Sequence, residues 1–120
     1  MEPLSLIIYH NDPGIAHSLM VGLSQQFGPV TVVQEHKEVR SAIAWHRAQV
    51  LVLDLESSCI DEIGHLHQEF PSLSIVATHR LADDELWTEA MNQGAADICE
   101  PRKDEVVRSV RRSRTRHAAA

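Results

Sequence analysis

Asp54 closes an unbroken apolar run, Val50-Leu51-Val52-Leu53, and it is one of several polar side chains that end or follow such runs. His10 and Asn11 follow Leu4 to Tyr9, Thr78 ends the run from Ser74, and Glu100 follows Asp97 to Cys99. A carboxylate, an imidazole, an amide and a hydroxyl gathered at the carboxyl edge of a parallel sheet would bind a ligand or act on one, since open α/β sheets do both at that edge. A polar residue can also simply mark where a strand stops, and the run before Asp54, taken alone, leaves the two readings equal. Were Glu100 to face Asp54, the two carboxyls would share a proton or need a cation between them.

These side chains matter only if the backbone carries them to one place. Val50 to Leu53 is apolar without alternation, which predicts a strand buried on both faces, as a sheet covered by helices requires. Leu4 to Tyr9, Val30 to Val33, Ser74 to Thr78 and Asp97 to Cys99 predict four more strands. Pro13 suits a first helical turn with Asp12 as N-cap, and Ile15, Leu19, Met20, Leu23 and Phe27 recur at helical spacing until Gly28-Pro29. Glu38 to Arg47 predicts a second helix, and Ile60 to Phe70 a third that Pro71 ends. Asp83 is placed to cap a fourth, closed by Gly94, and a fifth starts near Asp104 with Val106, Val107 and Val110 on one stripe. Strands alternating with helices through short connections predict a doubly wound parallel α/β fold with right-handed crossovers. In that fold the ends of the first, third, fourth and fifth strands bring His10, Asn11, Asp54, Thr78 and Glu100 to one end of the sheet.

Bulk properties narrow the function classes. A chain of 120 residues with 43% hydrophobic residues suits one domain with a single buried core. The net charge of -6 argues against a generic nucleic-acid surface, although Arg108, Arg111, Arg112, Arg114 and Arg116 make the last turns basic. Direct nucleic-acid contact is therefore not expected, and a solvated helix end or linker is. Cys59 and Cys99 are too few for a disulfide framework, and no apolar stretch reaches membrane-span length, so a soluble cytoplasmic protein is expected. His65 and His67 project about 200° apart on a helix and make no same-face metal pair.

The IIYHNDP, LVLDL, SIVAT and GAADICEP stretches, in that order, resemble the receiver domain of bacterial two-component response regulators from about Leu4 to Arg111. The resemblance implies a flavodoxin-like sheet of five strands in the order 2-1-3-4-5 with five helices. It implies a receiver-like domain over residues 1–113 and a linker or tail over 114–120. Asp54 would stand at the phosphoacceptor position and Thr78 at that of the phosphate-contacting hydroxyl, with a histidine kinase as donor. A carboxylate that attacks a phosphoryl group needs neighbouring negative charge neutralised, which the family does with magnesium and a lysine. Self-phosphorylation and dephosphorylation of Asp54 would be the most chemistry such a domain performs; it is not an enzyme in any wider sense.

The departures from the family pattern are as specific as the matches. His10 and Asn11 occupy the acidic-pair positions, Glu100 replaces the lysine, Ile98 the switch aromatic, and His79 the small residue after the hydroxyl. Magnesium prefers carboxylate and water oxygens, so a site made of His10, Asn11, Asp54 and the nearby Glu56 is expected to hold it weakly or not at all. Arg80 or His10 would supply positive charge to a bound anion. The expected function is that of an atypical receiver serving as a signalling interaction and dimerisation module with impaired phosphorylation at Asp54. The alternative is a working phosphoacceptor. For the homodimer, the face of the fourth helix, last strand and fifth helix offers Trp87 with Asp83, Asp84 and Glu85 opposite Arg108, Arg111 and Arg112. The family also leads one to expect a C-terminal output domain in a longer chain.

Overall fold

A computed structural model of the chain describes residues 3–119, with side chains through Arg114. Ala120 and the side chain of Arg116, both part of the expected tail, lie outside the described residues. The strands are β1 (Leu6–Tyr9), β2 (Val30–Val33), β3 (Val50–Asp54), β4 (Ser74–Thr78) and β5 (Asp97–Cys99). The helices are α1 (Pro13–Gln26), α2 (Val39–His46), α3 (Asp61–Glu69), α4 (Asp84–Gln93) and α5 (Lys103–Ala119). Every pairing is parallel and the order is β2-β1-β3-β4-β5, the doubly wound arrangement expected.

The unbroken apolar runs are explained by what covers them. Successive side chains of a strand leave on opposite faces, so a strand covered on both sides has no solvent-facing position. Ile7, Tyr9, Leu51, Leu53, Ile75 and Ala77 pack on one face with Val39 and Ile43 of α2, Ile63 and Leu66 of α3, and Ala90 of α4. Leu6, Ile8, Val50, Val52 and Val76 pack on the other with Leu19 and Leu23 of α1, and Val106 and Val110 of α5. Burying each large aliphatic side chain stabilises the fold by roughly 1.5–3 kcal/mol. β3, the middle strand, is buried along its whole length, and this fixes where Asp54 stands.

Element ends follow the sequence signals, with three instructive differences. Asp12 caps α1 by accepting from the Gly14 and Ile15 amides at 2.9 and 3.2 Å. Asp83 caps α4 by accepting from the Leu86 amide at 2.9 Å, and Gly94 closes that helix at φ 113°. A side chain at Gly94 would be strained by that angle and would meet the His67 ring at 2.8 Å. α2 begins at Val39 rather than Glu38, because His36–Glu38 forms a 3-10 turn, and it ends on Arg47 at φ 50°. β1 begins at Leu6 rather than Leu4, whose amide donates to Phe27 O at 3.3 Å and so ties that stretch to the end of α1. α5 continues to Ala119, through residues expected to form a linker or tail.

Candidate functional site

The register of the sheet assembles the site. Thr78 is the β4 partner of Asp54, and Tyr9 of β1 pairs with Leu53, so His10 emerges beside Asp54 from the other neighbouring strand. Asp54 is 1% exposed. Thr78 Oγ1 donates to its Oδ1 at 2.9 Å, and Ser57 Oγ donates to its Oδ2 at 2.6 Å. His10 Nε2 stands 3.6 Å from the same Oδ2. That ring is oriented by the backbone: the Asp12 amide donates to His10 Nδ1 at 3.0 Å, which leaves Nε2 as the nitrogen carrying the proton toward Asp54. A buried carboxylate thus has hydroxyl donors on both oxygens and an imidazole edge against one of them, the compensation a buried charge requires.

Ser57 was not legible as a site residue, because it lies in the aperiodic segment after β3. Its amide donates to Asp54 O at 3.2 Å, making a tight turn that swings its hydroxyl back over the carboxylate. The Asn11 amide donates to Ser57 Oγ at 3.1 Å, and the Tyr9 hydroxyl donates to Ser57 O at 3.1 Å. Burial first, and the charge of Asp54 second, hold the Tyr9 phenol above its ordinary pKa. The available signal was a hydroxyl residue three positions after a strand-ending aspartate.

The remaining expected site residues are placed around a cleft of about 280 Å³ lined by His10, Asn11, Asp12, Glu56, Arg80 and Pro101, among others. Asn11 is exposed there. Glu56 accepts from Arg80 Nε at 3.0 Å and lies 2.9 Å from its Nη2. Desolvation works to raise the Glu56 carboxyl, but the Arg80 hydrogen bonds and charge, with His79, outweigh it and hold the group below its ordinary range. Glu100 is exposed and turned to Arg102, 3.4 Å away, rather than toward Asp54. The Leu81 amide donates to His79 Nδ1 at 2.9 Å, and that ring lines a second cleft with Leu81, Asp83 and Leu86.

No family model and no curated protein matches the sequence. Solved structures match it in fold. A response regulator from Thermotoga maritima superposes with a TM-score of 0.82 at 16% identity, covering 93% of this chain and 98% of that one. NtrX from Brucella abortus, in complex with ADP, gives 0.86 at 15% identity over 98% of this chain and 28% of that one. The chain has the fold of a response-regulator receiver domain. A receiver-fold protein described as an atypical orphan response regulator with a phosphorylation-independent regulatory mechanism gives 0.72 at 10% identity over 81% of each chain.

On this receiver fold the magnesium that the resemblance implies meets a poor donor set. Both Asp54 oxygens already accept hydrogen bonds, His10 presents an N–H rather than a lone pair, and Glu56 is engaged by Arg80. Among the described residues, no group of three or more His, Cys, Asp or Glu is arranged to hold a metal ion. Ile98 is buried in the core, packed in the same cluster as Ala77 and Ala90. On the face expected to pair, Trp87 is 48% exposed and Arg108 lies 3.5 Å from Glu105. Arg112 is bound to Asp97 at 2.7 Å. Arg111 turns to the other side of α5, donating to Gln26 at 2.8 Å with its guanidinium 5.8 Å from the centre of the Phe27 ring. Among the described residues no helix is long and apolar enough to cross a membrane.

Proposed function

We propose that this receiver-fold chain is a signalling interaction module of a two-component phosphorelay in which Asp54 is a poor phosphoacceptor. The observation that carries the reading is the state of the Asp54 carboxylate, buried with both oxygens accepting from hydroxyl groups and an imidazole beside them. An attacking carboxylate must offer a lone pair in line with phosphorus, and here a hydrogen bond on each oxygen makes both less nucleophilic. The charge that develops on the phosphoryl oxygens would then meet neither a lysine, since Glu100 points to Arg102, nor a well-held divalent cation. The phosphorylation-independent regulator that shares this fold supports the same reading. The partner would be a histidine kinase or another signalling protein, met in the cytoplasm. An output domain in a longer chain would be its effector, and the NtrX chain, of which the match covers 28%, has room for one.

Incubation with a small phosphodonor and magnesium, followed by intact-mass analysis, tests this. No phosphoryl adduct is expected. An adduct that Asp54→Asn removes would overturn the reading in favour of the second one, a working phosphoacceptor fed by a histidine kinase. That second reading is favoured by Thr78, whose hydroxyl already sits on Asp54 Oδ1 where it would contact a phosphoryl group, and by Arg80 at the cleft.

A homodimer through α4, β5 and α5 belongs to the same proposal. It is supported by half-exposed Trp87 and by opposite charges on the two helices of that face, Asp83, Asp84 and Glu85 at the start of α4 and Arg108 on α5. Arg111 and Arg112 are turned to α1 and Asp97, so Arg108 carries the charge complementarity. Loss of dimer mass in Arg108→Glu is the expected outcome in sedimentation.

A further inference from the structure

Ser57 is held over Asp54 by its amide, its hydroxyl and its carbonyl, and two of these holds come from the end of β1. The amide donates to Asp54 O at 3.2 Å. The hydroxyl accepts from the Asn11 amide at 3.1 Å and donates to Asp54 Oδ2 at 2.6 Å, while the carbonyl accepts from the Tyr9 hydroxyl at 3.1 Å. Tyr9 pairs with Leu53 in the sheet, and its ring lies in the apolar layer beneath α2 and α3 with its hydroxyl at the turn that follows Asp54. The His36 ring stands edge-on against it, with centroids 6.0 Å apart at 64°, and His36 Nε2 lies 3.5 Å from Glu62 Oε1. Burial first, and the charge of Asp54 second, hold the phenol above its ordinary pKa, so it remains a donor. A ring in this layer needs no hydroxyl to pack, and the hydroxyl of Tyr9 is spent on Ser57.

The turn itself is weakly fixed. Residues 55–58 belong to no helix or strand. Among the described residues the Ser58 hydroxyl is buried without a hydrogen-bond partner, a penalty that the closed turn bears and an opened one would not. From outside, Glu56 is held by Arg80, and so exposed an ion pair adds little. The buried hold from Tyr9 is therefore the decisive one. We infer that Tyr9 is a positioning residue for Asp54: its hydroxyl keeps the turn between β3 and α3 closed with Ser57 on the carboxylate, and losing that hydroxyl uncovers Asp54 to an incoming electrophile. The inference rests on the reading of Asp54 as a poor phosphoacceptor and deepens it by naming the side chain that keeps the carboxylate covered.

Amide exchange on the full chain, followed by NMR and corrected for intrinsic rates, reads the turn directly. In Tyr9→Phe, which keeps the ring and removes only the hydroxyl, the Ser57 and Asn11 amides are expected to exchange about threefold to tenfold faster, the effect of one lost hydrogen bond. The Ile98 amide, donating to Asp97 Oδ1 at 2.9 Å, should keep its rate, whereas a merely less stable protein would exchange faster at all three positions. Ser57→Ala should quicken Asn11, whose acceptor it removes, and leave the amide at position 57 protected, because the Tyr9 hydroxyl still holds the carbonyl there. Access to Asp54 is read with a water-soluble carbodiimide and a small amine, which convert reachable carboxyls to amides, followed by peptide mass analysis. Labelling of Asp54 relative to buried Asp97 is expected to rise about threefold or more in Tyr9→Phe. Unchanged exchange at Asn11 and Ser57 would overturn the inference, and so would unchanged labelling of Asp54. Neither measurement uses a phosphodonor, so a phosphoryl adduct on the native chain would overturn the poor-phosphoacceptor reading while the role of Tyr9 stands or falls on these results.

Discussion

At Asp54 two hydroxyls and an imidazole stand around the carboxylate, where the resemblance implies acids that hold a metal ion. Thr78 and Ser57 each donate to one carboxylate oxygen, and His10 presents the N–H that its contact with the Asp12 amide leaves on Nε2. Hydrogen bonds to a charged group are worth about 1.5–3 kcal/mol each, so the two hydroxyls offset much of the cost of burying this carboxylate. Restoring the charges should therefore restore the chemistry. A protein carrying His10→Asp, Asn11→Asp and Glu100→Lys is expected to bind magnesium and to form, with a small phosphodonor, an adduct that the native chain does not form under the same conditions. Intact-mass analysis over time checks this, and the absence of an adduct on the variant would move the obstacle from charge to the hydroxyl cage. Residue types and strand ends made Asp54, Thr78 and His10 legible. Ser57 was not, because a turn that folds back on its own strand leaves no periodicity.

Among the elements, α5 and β5 show how secondary structure and electrostatics are joined. Asp97 opens β5, buried, and its Oδ2 accepts from Ser109 Oγ at 2.7 Å and from Arg112 Nη2 at 2.7 Å, while Oδ1 takes the Ile98 amide at 2.9 Å. The short strand has only three residues, so this clamp is a large part of what holds α5 against it. Arg112→Ala should lower unfolding free energy by about 1–2 kcal/mol; the cost is moderated because the guanidinium is half exposed and Asp97 keeps two donors. A lower denaturant midpoint with an unchanged slope would show it. The sequence placed both elements from Val106, Val107 and Val110 and from the run before Glu100. It gave Arg112 to a dimer face, since which side of a helix an arginine turns to depends on the carboxylate it finds.

For the whole molecule, the two apolar layers make global stability sensitive to groups buried in them. Cys99 lies in the layer under α1 and α5, and burial, the largest influence on it, pushes its thiol from 9.0 up to about 12, Ser109 and Arg112 opposing and Asp97 and Glu105 adding. The folded state keeps the proton more tightly than the unfolded one. This contribution to stability is therefore complete below pH 9 and is lost as pH rises toward 12. Melting measurements are expected to fall across that window and to fall less steeply in Cys99→Ala, and a thiol reagent at pH 8 should label exposed Cys59 well before Cys99.

The sequence by itself determined the architecture, because unalternating apolar runs at β1, β3 and β4 can be satisfied only between two helical layers, and that arrangement dictates which strand ends meet. Tertiary structure alone decided the chemistry at the meeting point. Whether Glu100 faces Asp54 or Arg102, and whether His10 offers a proton or a lone pair, depends on side-chain directions and backbone donors that spacing does not encode. Asp54 ends β3 because of its sequence. It is a caged carboxylate because of what folds over it.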